Sequence, residues 1–246
     1  NKNSCSVCST SILAPDTGVP SDQTIFKFAI PFLYFSILLS APSKIFFSSS
    51  ISGGPVKPGG FGSTIGTLGS IAATSDHPGV QALTSSVAAN SGYRFTTAVN
   101  ALLLSGGESM RFVFRPQTQI NSTVRLGFID TSTEAAPVDG AWLDIVADVL
   151  SGKTRNNSTE SVTGTTYTLV ANTWYSATVV VNANASSVTF TLYSEAGAVL
   201  WTNSLASNMP TATTGSGIVA SNSGTSAVSI TEFDYMSFWI DRTLAR

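Results

Sequence analysis

Histidine and cysteine are almost missing from this chain: 246 residues include one His and two Cys. A single imidazole, His77, cannot build a multi-histidine zinc site, and in Asp76-His77-Pro78-Gly79 it reads as a turn residue. The cysteines are Cys5 and Cys8, too close together to cross-link distant strands. A lone CxxC with no second pair and no strand-to-helix context supports neither a zinc ribbon nor a redox motif, so no metal and no cofactor is expected. Charge is also scarce, at 11% of residues and a net −2. That excludes the basic field through which proteins hold nucleic acid or anionic membranes. Neither GxGxxG nor GxxxxGK[ST] occurs, which removes the usual nucleotide-binding signatures.

What remains is rich in Ser, Thr, Asn, Gly and Ala, a composition suited to strand faces and turns rather than to solvated helices. The first 24 residues are polar, with Pro15, Gly18 and Pro20, and read as an extended arm. Residues 28–43 then carry no charge and are bracketed by Lys27 and Lys44. Their apolar side chains, including Phe28, Phe32, Leu33, Phe35, Ile37 and Leu38, need a cover. A membrane helix needs about 20 apolar residues, and this run is shorter and interrupted by Pro31, so an assembly arm is preferred to a short membrane anchor. The expected organisation is an arm over 1–50, a Gly/Ser/Pro linker over 51–70 and a β domain over 71–246.

Within that domain the dominant period is two. Met110, Phe112 and Phe114 alternate with Arg111, Val113 and Arg115, which makes a half-buried strand. Val124, Leu126 and Phe128 share one face of the next, and Trp142 falls opposite Leu143 and Ile145 on a third. Two runs, 173–182 and 187–194, flank the polar segment 183–186 and read as a hairpin. The last strand, through Phe233 to Ile240, is apolar on both faces near its end and so is expected at the centre of a sheet or covered on both sides. Short strands with regular turn signals predict an all-β antiparallel β-sandwich with an N-terminal extended apolar arm.

Four segments carry a resemblance: residues 75–80 with Leu83 to Ser86, Val124 to Asp130 followed by Asp139 to Trp142, Asn172 to Tyr175 before Val179 to Asn182, and Phe233 to Tyr235 with Trp239. Together they resemble the concanavalin A-like, laminin G-type jelly rolls of bacteriophage tail and head-fibre proteins. The resemblance implies a structural protein of the virion surface, a fibre or decoration component that docks on other virion proteins through its arm. It further implies a homo-oligomer, with a trimer favoured, and a sandwich displayed toward the host; it does not imply a substrate, and a host surface glycan stands only as an optional partner. Relatives often hold calcium at a sandwich rim, but no ligand set aligns here, and Asp130, Asp139, Asp144 and Asp148 read as solvated strand ends.

Two constellations bear on activity. Glu232-Phe233-Asp234 places two carboxylates on one strand face, as in the E-x-D-x-E of laminarinase-type glycoside hydrolases of this fold, but the third position is Met236. Without a second catalytic carboxyl the retaining pair is broken, so a non-enzyme is expected and a polysaccharide hydrolase stands as the lesser alternative. Aromatic rings on period-two strands belong mainly to the core. Trp174 and Trp201 lie nearest to turns and are the ligand-binding candidates by which a glycan-binding adhesin, the main alternative, would stack a sugar.

Overall fold

The structure, a computed structural model, describes the backbone of residues 23–30, 33–40, 44–50, 59–61 and 68–70, and residues 76–77, 80–86, 88–97, 100–118, 122–222 and 230–241. In chain order the strands are β1 (Gln23–Ile30), β2 (Leu33–Ser40), β3 (Lys44–Ser50), β4 (Gly59–Phe61), β5 (Leu68–Ser70), β6 (Gln81–Thr84), β7 (Ser91–Thr96), β8 (Glu108–Thr118) and β9 (Ser122–Ile129). They continue with β10 (Gly140–Val146), β11 (Val149–Asn156), β12 (Thr159–Val162), β13 (Tyr167–Thr168), β14 (Tyr175–Val181), β15 (Val188–Ser194), β16 (Val199–Leu205), β17 (Gly215–Asn222) and β18 (Ile230–Asp241). No helix occurs among the described residues.

These strands make two antiparallel sheets. One runs β1-β2-β3-β18-β8-β14-β15-β16, with β5 and β6 attached beside β18; the other runs β12-β11-β10-β9-β17-β7-β4, with β13 on β11. The core lies between them. Met110, Phe112 and Phe114 of β8 and Ala177, Val179 and Val181 of β14 face Val124, Leu126 and Phe128 of β9 and Leu143 and Ile145 of β10, all at most 1% exposed. Each buried side chain of this size contributes roughly 1.5–3 kcal/mol, so the alternation fixes which face points inward.

Turn chemistry sets the registers. Ala147 and Asp148 join β10 to β11 at φ 44° and 71°, and Asn157 and Ser158 join β11 to β12 at φ 45° and 68°. Both pairs have the two left-handed residues that a tight hairpin needs to match strand twist. In β11 the absence of a side chain at Gly152 makes room for a ring from the opposite sheet: a Cβ there would sit 2.3 Å from Cδ2 of Phe190.

Strand β18 occupies the position expected of it, between β3 and β8, but it is not regular. Its pairing with β8 shifts between Phe233 and Tyr235, so Asp234 is the extra residue of a β-bulge. Beyond the bulge Met236 pairs with Phe112 and joins the core, although strict alternation from Glu232 and Asp234 would aim it outward.

Within residues 1–50, β1 and β2 pair in register from Gln23↔Ser40 to Ile30↔Leu33, and β3 lies along β18 from Ser50↔Tyr235 to Lys44↔Asp241. Phe28, Leu33, Phe35, Ile37 and Leu38 fall in β1 and β2. Phe32, Cys5 and Cys8 lie outside the described residues. Within 51–70, β4 pairs with β7 and β5 with β6.

The loop over 130–139 is tied to arginines of the second sheet. Arg125 donates from Nη1 to the carbonyls of Glu134 (3.1 Å) and Ala135 (3.0 Å), and Arg94 donates to Ser132 Oγ at 2.7 Å. The Asp130 carboxylate accepts from the amides of Val138 and Asp139 at 2.9 and 3.0 Å. On the outward face of this sheet Trp142 is only 1% exposed and packs in a small cluster with Ile129 and Val219. Beside it Asp144 is buried: it accepts from Trp142 Nε1 and pairs with Lys153 Nζ at 2.9 Å. Burial pulls the Lys153 pKa down, but Asp144 and then Glu160 outweigh it and hold the ammonium above its ordinary value. Asp130 and Asp144 are therefore tied into the structure rather than solvated.

Candidate functional site

A cleft of about 420 Å³ opens on the face of the first sheet that points away from the core. Its floor comes from the outward residues of two neighbouring strands, Arg111 and Val113 of β8 and Ser176 of β14. Its walls are Asp76 and His77, which precede β6, Trp174 before β14, Glu195 in the β15–β16 turn, and Asp234 in the bulge of β18. The bulge brings a carboxylate to the rim at a point where regular pairing would place no extra side chain.

Local structure fixes each wall. Asn172 takes φ 61°, and its amide donates to the Pro116 carbonyl at 2.7 Å, tying the chain before β14 to the end of β8. The Val170 amide donates to the hydroxyl of Tyr175 at 2.9 Å, whose ring lies in the core, so Trp174 emerges from a braced turn. Glu195 is set by a turn in which the Ser194 amide donates to the Ala198 carbonyl at 2.8 Å and Gly197 takes φ 84°.

His77 is the centre of the site. Nδ1 lies 3.0 Å from Asp234 Oδ2 and Nε2 lies 3.2 Å from Glu195 Oε1. The imidazole stacks on Trp174 with ring centroids 3.9 Å apart and planes 14° apart. The guanidinium carbon of Arg115 stands 4.9 Å from the centroid of the same indole. Arg115 in turn pairs with Glu232, whose carboxylate is fully enclosed and also accepts from Gln117 Nε2. Arg111 is exposed and is steadied by donating from Nε to Ser176 Oγ at 2.9 Å.

Several sequence expectations change here. His77 was expected only to complete a turn, but the fold brings it to two carboxylates that are 118 and 157 residues away in sequence. Trp174 and Trp201, the ligand-binding candidates nearest to turns, are both largely buried, at 9% and 8%. Trp201 joins the main core, with Nε1 donating to Thr165 Oγ1 at 3.2 Å. Trp174 does line the cleft, but His77 lies over its ring. Glu232 and Asp234 do share the outward side, yet Glu232 is locked in its ion pair and Asp234 holds the imidazole. Arg111, Ser176 and Glu195 carried no motif that would have singled them out.

Chemically the cleft offers hydroxyl, guanidinium and carboxylate groups at close range over a strand-built floor. Such planar donors and acceptors suit ligands rich in hydroxyl groups.

The fold places this domain among the concanavalin A-like jelly rolls, the architecture of lectins and glucanases. The chain belongs to the SO2946-like, C-terminal domain family, which matches residues 76–234. It is similar in structure to SO2946 of Shewanella oneidensis MR-1, a protein of unknown function, with a TM-score of 0.67 and 21% identity over 84% of this chain and 90% of that one. Peanut lectin aligns with a TM-score of 0.53 and 13% identity over 81% of this chain and 98% of its own. The β-glucanase of Bacillus licheniformis aligns with a TM-score of 0.54 and 9% identity over 80% and 98%. At these identities the likeness is one of fold. No curated protein matches the chain.

Proposed function

We propose that the domain is a carbohydrate-binding module whose site is the cleft around His77, and that it binds without turning its ligand over. The observation that supports this most is the convergence of Arg111, Ser176, Asp234, Glu195 and Asp76 on one cleft of about 420 Å³, in a fold shared with lectins. The glucanase likeness raises the alternative of hydrolysis. Against it stand the core position of Met236 and the buried ion pair of Glu232, which leave no pair of free facing carboxylates on β18.

The test titrates cellotetraose, laminaritetraose and lactose into the full chain by calorimetry and assays new reducing ends in the same samples. Saturable heat without new ends is the expected result. New ends would establish a hydrolase, and no heat with any of the three would remove the glycan reading.

A second reading concerns setting. The uncharged run over 28–43 supports a fibre or decoration role at a virion surface, in which residues 1–50 dock on partner proteins or on other copies of the chain and the sandwich displays the cleft toward a host glycan. Mass spectrometry of purified particles is the test: the chain is expected among their components, and its absence would end that reading.

A further inference from the structure

The arrangement at the cleft asks for a proton. A neutral imidazole has one N–H and one lone pair, so it can donate to only one of two carboxylates. Here both ring nitrogens face carboxylate oxygens, at 3.0 Å from Asp234 and 3.2 Å from Glu195. With both carboxylates ionised, both contacts are hydrogen bonds only when the ring is an imidazolium. In the neutral ring a nitrogen lone pair opposes one carboxylate, and that contact is lost or repulsive. The charged ring also stacks more strongly on an indole than the neutral one does.

We propose that His77 is a proton-operated cover on Trp174: as the imidazolium it bridges Asp234 and Glu195 and shuts the indole face, and as the neutral ring it lets go and yields that face to a sugar ring. This rests on the glycan-binding reading of the same cleft and adds both the stacking residue and its control. The release begins at Glu195, whose side chain is 60% exposed and stands in a turn, whereas Asp234 is 11% exposed and anchored in the bulge. An imidazole that has lost its contact with Glu195 can be displaced by a pyranose, whose apolar face pairs with an aromatic ring.

Among the described residues the charged surroundings of His77 are Asp76 on its own segment, Asp234 from β18, Glu195 from the β15–β16 turn, Arg111 from β8, and Arg115 from β8, whose guanidinium stands 4.9 Å from the centroid of the same indole and is paired with Glu232. Between pH 5.5 and 8.0 imidazole side chains ordinarily change charge, while carboxylates titrate below and guanidinium groups above that interval. His77 is the only histidine in the chain, so His77→Gln removes its one imidazole.

Two measurements on the full chain test the cover. Acrylamide quenching of tryptophan fluorescence, compared between wild type and Trp174→Phe, isolates the accessibility of Trp174 without any ligand. Trp174 is expected to be more accessible at pH 8.0 than at pH 5.5, and accessible at both in His77→Gln. Affinity for cellotetraose, laminaritetraose and lactose is expected to fall at least about fivefold from pH 8.0 to pH 5.5, within the usual range of coupling between sites. The fall should vanish in His77→Gln and shrink in Glu195→Gln, a turn variant that removes the charge without touching the core. Equal quenching at both pH values overturns the cover, and so does binding that is flat across pH in the wild type, which would leave the glycan reading standing. Absence of binding at both pH values overturns the glycan reading and the platform with it.

Discussion

Glu232 and Arg115 face each other in register across β18 and β8, and the carboxylate is completely enclosed while the guanidinium reaches over Trp174. The pair is thus the support beneath the cleft wall rather than part of its surface. Removing one member of a buried pair leaves the other without its counter-charge, which costs far more than the intact pair contributes. Glu232→Ala is expected to lose about 3 kcal/mol of stability by this argument, measured by urea denaturation. A loss within about 0.5 kcal/mol, typical of a solvated surface site, would contradict it.

Gly152 and Phe190 meet across the sandwich, where a Cβ on the glycine would approach Cδ2 at 2.3 Å. Gly152→Ala should therefore destabilise by about 1–3 kcal/mol, the usual cost of overpacking. Phe190→Leu in the same chain should recover part of that loss, because the two positions share one space. Additive effects in the double variant would show that the contact is not what makes glycine necessary.

Asp148, in the β10–β11 turn, has a carboxylate oxygen with no hydrogen-bond partner among the described residues, and burial pushes its pKa above the ordinary value of 3.8. Its charged form is thus disfavoured by folding. As pH rises, the unfolded chain loses the proton first, stability falls until the folded group also ionises, and the penalty then persists at neutral pH. Asp148→Asn keeps a residue that tolerates φ 71° and removes the charge. At pH 7 it should stabilise by no more than about 0.5 kcal/mol, given partial solvation, and the gain should disappear below about pH 3. Thermal melts at the two pH values decide this, and a variant less stable than wild type at pH 7 would refute it.

The strands that could be read from the sequence are those with two unlike faces. Met110, Phe112 and Phe114 against Arg111, Val113 and Arg115 leave one way to bury β8, and Tyr175, Ala177 and Val179 do the same for β14. Strands β11 and β12 gave no such signal, since the first mixes Ser, Gly, Lys and Thr and the second is largely exposed. Trp142 alternates outward as expected, yet it is buried in a cluster with Ile129 and Val219 on that outward face, a packing that periodicity does not encode. The same holds at the cleft. Trp174 could be named because it precedes a strand, and Glu232 and Asp234 because they are two apart. The bulge that sends Met236 into the core and the meeting of His77 with Glu195 both depend on long-range register, which no local pattern carries.

The cleft around His77 is the proposed seat of a glycan, and its occupant can be seen directly. The most direct measurement is a crystal structure of the full chain at pH 8.0 with the tightest-binding of cellotetraose, laminaritetraose and lactose. A sugar ring is expected in the cleft with its hydroxyl groups on Arg111, Ser176 and Asp234. A sugar seated on the outward face of the second sheet or on another loop, with His77 still bridging Asp234 and Glu195, would contradict it.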